Sequence, residues 1–179
     1  MGAEPERYAA MFDRYYREIY AFAARRLGRD LAEDVASETF LVAYDRRDRF
    51  DPTRPDARAW LYGIAVNLIA RHHRAEQRRY RAYARSAGDP ESDSPIDAVA
   101  DRLDAATARG LLARGLAGLS TADREVLLLV GWGGLSCQEA ATALDIPAGT
   151  ARSRLHRARR HMRAVLGIAE PAPYLEEAK

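Results

Sequence analysis

Cysteine occurs once in these 179 residues, at Cys137. A disulfide framework and a cysteine-built zinc site are therefore excluded within the chain. Lysine also occurs once, at Lys179, so arginine makes up the rest of the 28 basic residues. Such a bias follows codon usage as readily as chemistry, and position then carries more information than abundance. The net charge of +2 hides local clusters that set their own fields. Long apolar runs are missing too. The longest, Val126 to Gly134, falls far short of the ~20 residues that span a bilayer, so no membrane insertion is expected. Met1 to Arg7 carry acids and no apolar stretch, which does not fit a signal peptide and makes the cytoplasm the expected location. No run of alternating β-branched residues points to a sheet.

Helix signals fill the space left. With 47% hydrophobic and 30% charged residues the composition is globular. Tyr8, Met11, Phe12, Tyr15, Ile19, Phe22 and Ala23 recur at helical spacing and predict a first helix over Glu6–Leu27, with Gly28 as its cap. A second helix is expected from Asp30, where Glu33 three residues on forms a pair resembling a capping box. It carries Leu31, Val35, Phe40, Leu41 and Tyr44. After a charged loop, one long helix is expected from Ala57 to Ala84, with Trp60, Ile64 and Leu68 four apart. Between Gly88 and Asp104 stand six acids, one arginine and two prolines, the composition of a flexible acidic linker. A second helical region follows from near Leu103 to Leu166. The expected fold is all-α: two small helical domains, residues 6–85 and 105–167, joined by a linker over 86–104 and followed by a tail over 168–179.

The sharpest pattern lies near the C-terminal end. Ser136-Cys137-Gln138-Glu139 fits a capping box and opens a short helix bearing Ala140, Ala141 and Leu144. Asp145 to Gly149 break it. A second helix then places Ala151, Leu155, Ala158 and Met162 on one face, with Ile146 packed between the two, which is the helix-turn-helix pattern. Cys137 reads as a small half-buried side chain, with a reactive thiol at a helix start as the alternative. From Ile146 to Ala169 there is no acid, whereas Arg152, Arg154, Arg157, Arg159, Arg160 and Arg163 crowd the second helix. Such a helix fits the DNA major groove, and arginine can pair bidentately with guanine. Arg152, Ser153, His156 and Arg157 share a face near its start, where base edges are read. The remaining arginines suit phosphates.

Two weaker constellations accompany it. Arg71, Arg74, Arg78, Arg79, Arg81 and Arg85 interleave with Tyr80 and Tyr83, as in surfaces that stack unpaired bases, although tyrosines covering a domain edge explain the pattern as well. Helix two mixes acids with an apolar face, either as an ordinary amphipathic helix or as a docking surface.

Three segments, in this order, resemble the extracytoplasmic-function (ECF) group of the sigma-70 family: Ala32 to Phe40 and Arg58 to Asn67, which look like parts of its region 2, and Gly149 to Arg159, which looks like part of its region 4. The resemblance spans roughly Phe12 to Leu166. It implies an RNA polymerase sigma factor that joins core RNA polymerase to promoter DNA. Asp34, Glu38 and Phe40 would then meet the clamp helices of the β′ subunit. The −10 element would be met by the loop Arg46 to Arg58 and by Arg58, Asn67, Arg71 and Arg74. The −35 element would be met by Thr150, Arg152, Ser153, Arg154, His156, Arg157 and Arg160. It also implies an anti-sigma partner, and a linker whose acids mimic RNA near the exit path. Trp60 reads as core rather than as a melting wedge. Gly63 departs from the larger polar or basic residue that many relatives carry, and no fused regulatory domain is expected beyond Leu166.

The alternative is a helix-turn-helix regulator that binds duplex DNA without being a sigma subunit; it leaves Trp60 to Asn67 unexplained. An enzyme such as a nuclease fits less well. The carboxylates do not converge on a metal site, and the adjacent His72 and His73 point to different helix faces. No cofactor, metal or catalytic residue is expected.

Overall fold

A computed structural model describes residues 3–47, 57–86 and 96–168. It holds α1 (Ala3–Leu27), α2 (Arg29–Asp45), α3 (Ala57–Arg71), α4 (His73–Ser86), α5 (Ile96–Gly118), α6 (Thr121–Gly131), α7 (Cys137–Ala143) and α8 (Ala148–Leu166). No strand occurs among the described residues. The all-α expectation holds, with two helical modules: α1 to α4, and α5 to α8.

Four local details differ from the expectation. First, Asp30 and Glu33 form no cap. Gly28 ends α1 by donating to the Ala24 carbonyl (3.0 Å) and itself precedes α2, with φ 95° and no side-chain capping bond. One glycine in the left-handed region turns the chain, so Asp30 falls inside the first turn, where its charge suits the helix's positive end. Second, the long third helix is two. His72 N–H bonds to the Ile69 carbonyl (2.8 Å), a tighter turn that re-aims α4 so that Glu76 and Tyr80 face α1 and α6. Third, α3 is buried nearly all round. Ala59, Leu61 to Val66, Leu68 and Ile69 are all inside, because α1 and α2 cover one side and α7 the other. Fourth, α5 begins at Ile96, within the expected linker, and packs on α4. The segments 48–56, 87–95 and 169–179 lie outside the described residues. They include most of the loop before α3, part of the linker and most of the tail.

Ile19, Phe22 and Ala23 of α1 meet Val35, Ala36 and Phe40 of α2 and Leu61, Ile64, Ala65, Leu68 and Ile69 of α3. Each fully buried large side chain contributes about 1.5–3 kcal/mol relative to exposure. Trp60 is half-buried against this core, as expected. The cluster continues into the second module through Leu116, Leu128, Leu129 and Leu135. The modules therefore touch.

Charge lies at the centre of that contact. Arg26 follows Ile19 and Phe22 on the inner stripe of α1 and is 1% exposed. Its Nε donates to Glu76 Oε1 (2.6 Å), while Nη1 and Nη2 donate to Glu125 Oε2 and Oε1 of α6 (2.6 and 2.5 Å). Arg124, equally buried, lies 3.8 Å from Glu76 Oε2. With its amide oxygen turned inward, Gln77 accepts from Arg124 Nη1 (2.6 Å) and Nη2 (3.0 Å). Tyr80 donates its hydroxyl to Glu76 Oε1 (3.0 Å).

Candidate nucleic-acid interface

The helix-turn-helix forms from the predicted capping box. Ser136 Oγ accepts from Glu139 N–H (3.1 Å), and Glu139 Oε2 accepts from Ser136 N–H (2.7 Å). The Glu139 carboxyl is held below its ordinary range chiefly by that backbone bond. After α7, Asp145 takes a left-handed φ of 52°, a conformation aspartate tolerates. Ile146 N–H closes the turn onto the Ala141 carbonyl (3.0 Å). Ile146 packs with Val126, Ala141, Ala151 and Leu155, as expected. Ala151, Leu155, Ala158 and Met162 are buried along α8, which fixes the opposite face outward.

That outward face holds most of the expected −35 residues. Arg152, Ser153, His156, Arg157 and Arg160 are exposed; Thr150 and Arg154 are half-buried. Ser153 Oγ donates back to the Gly149 carbonyl (3.0 Å), so its hydroxyl starts out bonded within the helix. Arg157 differs from its neighbours. Its Nη2 and Nε donate to Asp123 Oδ1 (2.8 Å) and Oδ2 (3.3 Å) of α6, leaving the arginine side chain 53% exposed. The bond to Arg157 holds the Asp123 carboxyl below its usual value. On the same flank His161 Nε2 lies 3.2 Å from the Gly115 carbonyl, so this side of α8 leans on α5 and α6.

The region expected to meet the −10 element is less open. Asn67, Arg71 and Arg74 are exposed. Arg71 Nη1 donates to Glu38 Oε1 (2.8 Å), which joins an expected DNA residue to an expected polymerase residue. Arg58 is engaged on every side. Nε donates to Glu18 Oε2 (2.9 Å), Nη1 to the Gly134 carbonyl (3.1 Å) and Nη2 to the Gly133 carbonyl (2.6 Å). Arg58, expected at the −10 element, is thus covered by the turn after α6. Tyr80 is buried at 3% exposure and bonded to Glu76, so it covers the domain edge and stacks no base. Tyr83 stays on the surface, with Arg79 over its ring at 5.0 Å.

The expected polymerase surface also needs one correction. Asp34 is exposed and Glu38 half-buried, but Phe40 is 2% exposed and belongs to the core, edge-on to Phe12 (4.9 Å). The apolar side chains open to a partner beside it are Phe12, Leu41 and Tyr44. Sequence reading missed this because Phe40 and Leu41 are neighbours, and only packing decides which one faces inward.

A helix-turn-helix whose second helix turns arginines outward, set beside a second helical module with its own apolar surface, defines a DNA-binding transcription protein. Residues 11–79 match the family model for sigma-70 region 2, and residues 109–162 match that for sigma-70 region 4. The ECF RNA polymerase sigma factor SigL of Mycobacterium tuberculosis is 36% identical over 169 residues, 92% of each chain. The structure of CnrH in complex with the cytosolic domain of CnrY superposes with a TM-score of 0.61 at 26% identity, covering 92% of this chain and 90% of that one. The sigma factor RpoE, in complex with the anti-sigma factor NepR from Bartonella quintana, gives 0.59 at 25% identity, over 89% and 96%. The chain belongs to the sigma-70 family and is an RNA polymerase sigma factor of its ECF group. The region 2 match accounts for Trp60 to Asn67, which a lone helix-turn-helix regulator left unexplained. No helix among the described residues is long and apolar enough to cross a membrane.

Proposed function

We propose that this sigma factor acts in the cytoplasm, without chemistry of its own, by holding core RNA polymerase to two promoter elements at once. Its working units are residues 6–85 and 105–167. The observation that carries the reading is the face of α8: Arg152, His156 and Arg160 stand outward on the second helix of a helix-turn-helix, and no acid occurs from Ile146 to Ala169. Arg152, Ser153, His156 and Arg157, near the helix start, read −35 base edges, with Thr150, Arg154 and Arg160 holding the strand. Asn67, Arg71, Arg74 and Arg58, with the loop before α3, take the −10 element. A base flipped from the duplex costs a few kcal/mol, which a receiving pocket offsets. Tethering two modest contacts raises their effective concentration, so one promoter is held by both together.

The polymerase contact falls to α1 and α2. There the exposed apolar side chains Phe12, Leu41 and Tyr44 adjoin the acids Asp34 and Glu38, a surface suited to the clamp helices of β′. RpoE is seen with the anti-sigma factor NepR, and CnrH with the cytosolic domain of CnrY, and we carry an anti-sigma partner over to this chain on that likeness. The test is transcription in vitro with core polymerase and sequencing of the start sites. Discrete starts preceded by two shared elements are expected. No transcript from any template, with core enzyme active alongside another sigma factor, overturns the reading.

A further inference from the structure

We propose that α4 carries a third DNA contact, separate from those given to the two promoter elements. It is a stripe of arginines that holds the phosphates of duplex DNA just upstream of the −10 element without reading their sequence. The proposal rests on the −10 reading above, which fixes where along the DNA the stripe falls.

The stripe is Arg74, Arg78 and Arg81, all exposed. Helical geometry sets them within about 60° of one another, on the side of α4 opposite Glu76 and Tyr80. Glu76 is the one acid of this helix; it is 1% exposed and bonded to Arg26, so no carboxylate of α4 offsets the stripe. Among the described residues none of the three arginines makes a hydrogen bond or an ion pair. Other arginines of this module are taken: Arg26 and Arg58 are bonded within the protein, Arg71 to Glu38, and Arg79 lies over Tyr83. Like charges three and four residues apart destabilise a helix, so the arrangement works against the free protein and is relieved by a polyanion.

The neighbouring aromatics decide what kind of polyanion. Single-stranded nucleic acid is held by rings on which its bases stack. Here Tyr80 is buried, and Tyr83 lies on the far side of the helix with Arg79 over its ring at 5.0 Å. The stripe therefore offers charge alone, which suits a phosphate backbone and carries no sequence information. From Arg74 to Arg81 the helix rises about 10 Å, and that length of duplex holds about three phosphates on each strand. The chain path supplies the location. α4 leaves α3 through the tight turn at His72, directly after Asn67 and Arg71, and leads to α5 and the −35 module. The stripe thus continues from the −10 residues toward the −35 residues, along the stretch where the DNA stays double-stranded.

The test compares holoenzymes of core polymerase with the full chain: the parent, Arg78→Gln, Arg81→Gln and the double variant. The probe is a duplex promoter fragment taken from a mapped start site, titrated from ~0.1 to ~0.4 M salt. Each substitution should lower the salt slope by about 0.9, so that the double variant binds about 60-fold more weakly at ~0.1 M and extrapolates to the parent near ~1 M. Changing the spacer sequence at constant length should leave this difference as it is. Neutral methylphosphonates at the phosphates just upstream of the −10 element should weaken the parent but not the double variant. Arg79→Gln removes equal charge from the other side of α4 and should keep the parental slope. An unchanged slope in the double variant overturns the proposal, as does a loss that follows spacer sequence. Weaker assembly with core polymerase and unaltered DNA binding also overturns it, by setting the stripe against protein. Failure of the −10 reading looks different: Asn67→Ala then leaves start-site choice unchanged, while the double variant still lowers the slope.

Discussion

Arginine serves opposite ends in two regions of this molecule. On α8 it stands in water: Arg152, Arg159 and Arg160 are exposed, on a helix with no acid. At the seam Arg26 and Arg124 are each 1% exposed and closed in by Glu76, Glu125 and Gln77. The same guanidinium is a vacant contact in one place and a satisfied one in the other. What separates them is the helix position each takes. Arg26 lies on the stripe that Ile19 and Phe22 bury, whereas Arg152 lies opposite Ala151, Leu155 and Ala158. An exposed arginine awaits a partner and costs the fold little. A buried one fixes which surfaces may meet.

The strongest way to break this comparison is to remove a buried charge. Arg26→Met keeps the apolar stem but takes the cation from Glu125 and leaves Glu76 with Arg124 alone, 3.8 Å away. Loss of one partner from a buried pair costs about 3–5 kcal/mol. Part of that can be relieved by parting the modules, since Glu125 would leave with α6 while Glu76 stays. Denaturant unfolding should show a large loss, with the two modules ceasing to unfold together. Adding Glu125→Gln should restore part of it. A loss below about 1 kcal/mol would mean that Arg26 is solvated and the seam open.

On the exposed side the expected effects are on binding, not folding. Arg152→Ala should cost about 1–3 kcal/mol on the preferred −35 duplex and much less on unrelated duplex. Arg160→Ala should weaken all duplexes alike and lower the salt slope by about one. Titrations at several salt concentrations separate the two. Equal losses from both variants on every sequence would refute base reading by Arg152. A smaller effect belongs to the capping box. Ser136→Ala removes the acceptor of Glu139 N–H and should cost about 1 kcal/mol of stability, without changing which sequence is preferred.

Periodicity made much of this legible beforehand. The stripes of α1 and α8, the capping box at Ser136 and the turn at Ile146 all follow from local spacing, and the structure keeps them. What failed was set by contacts distant in sequence. Nothing near Phe40 says that Leu41 faces outward; packing against Phe12 and Tyr16 decides it. The tight turn at His72 divides the expected third helix, and α4 then presents Glu76 to Arg26 fifty positions away. Arg58 matched the family's DNA-binding segment, yet its bonds run to Gly133 and Gly134. One signal was available and unused. Arg26 on an apolar stripe, and Arg124 and Glu125 heading the apolar run from Val126 to Val130, are charges at buried positions. Such charges require partners.

The smallest expected effect probes the place where the two kinds of arginine meet. Arg157 is on the exposed helix yet bonded to Asp123 across it, halfway between the seam's arginines and Arg152. The Asp123 carboxyl has its pKa lowered in the folded chain, first by that bond. Its contribution to stability is therefore present above the unfolded value of about 3.9 and fades as pH falls through the lower folded value. Because Arg157 is more than half exposed, solvent screens the pair and the contribution is small. Asp123→Asn should lower the melting temperature slightly in the neutral range and converge with the parent well below about pH 4, so that its fall in acid is a little flatter. Its larger consequence should be on recognition. With Asp123 holding Nε and Nη2, Arg157 offers DNA a fixed remaining edge. Released by Asp123→Asn, it should keep its affinity for duplex but discriminate less at the base it faces. Unchanged discrimination in a selection from randomised −35 sites would show that Arg157 contacts only phosphate, and that its bond to Asp123 serves the packing of α6 on α8 alone.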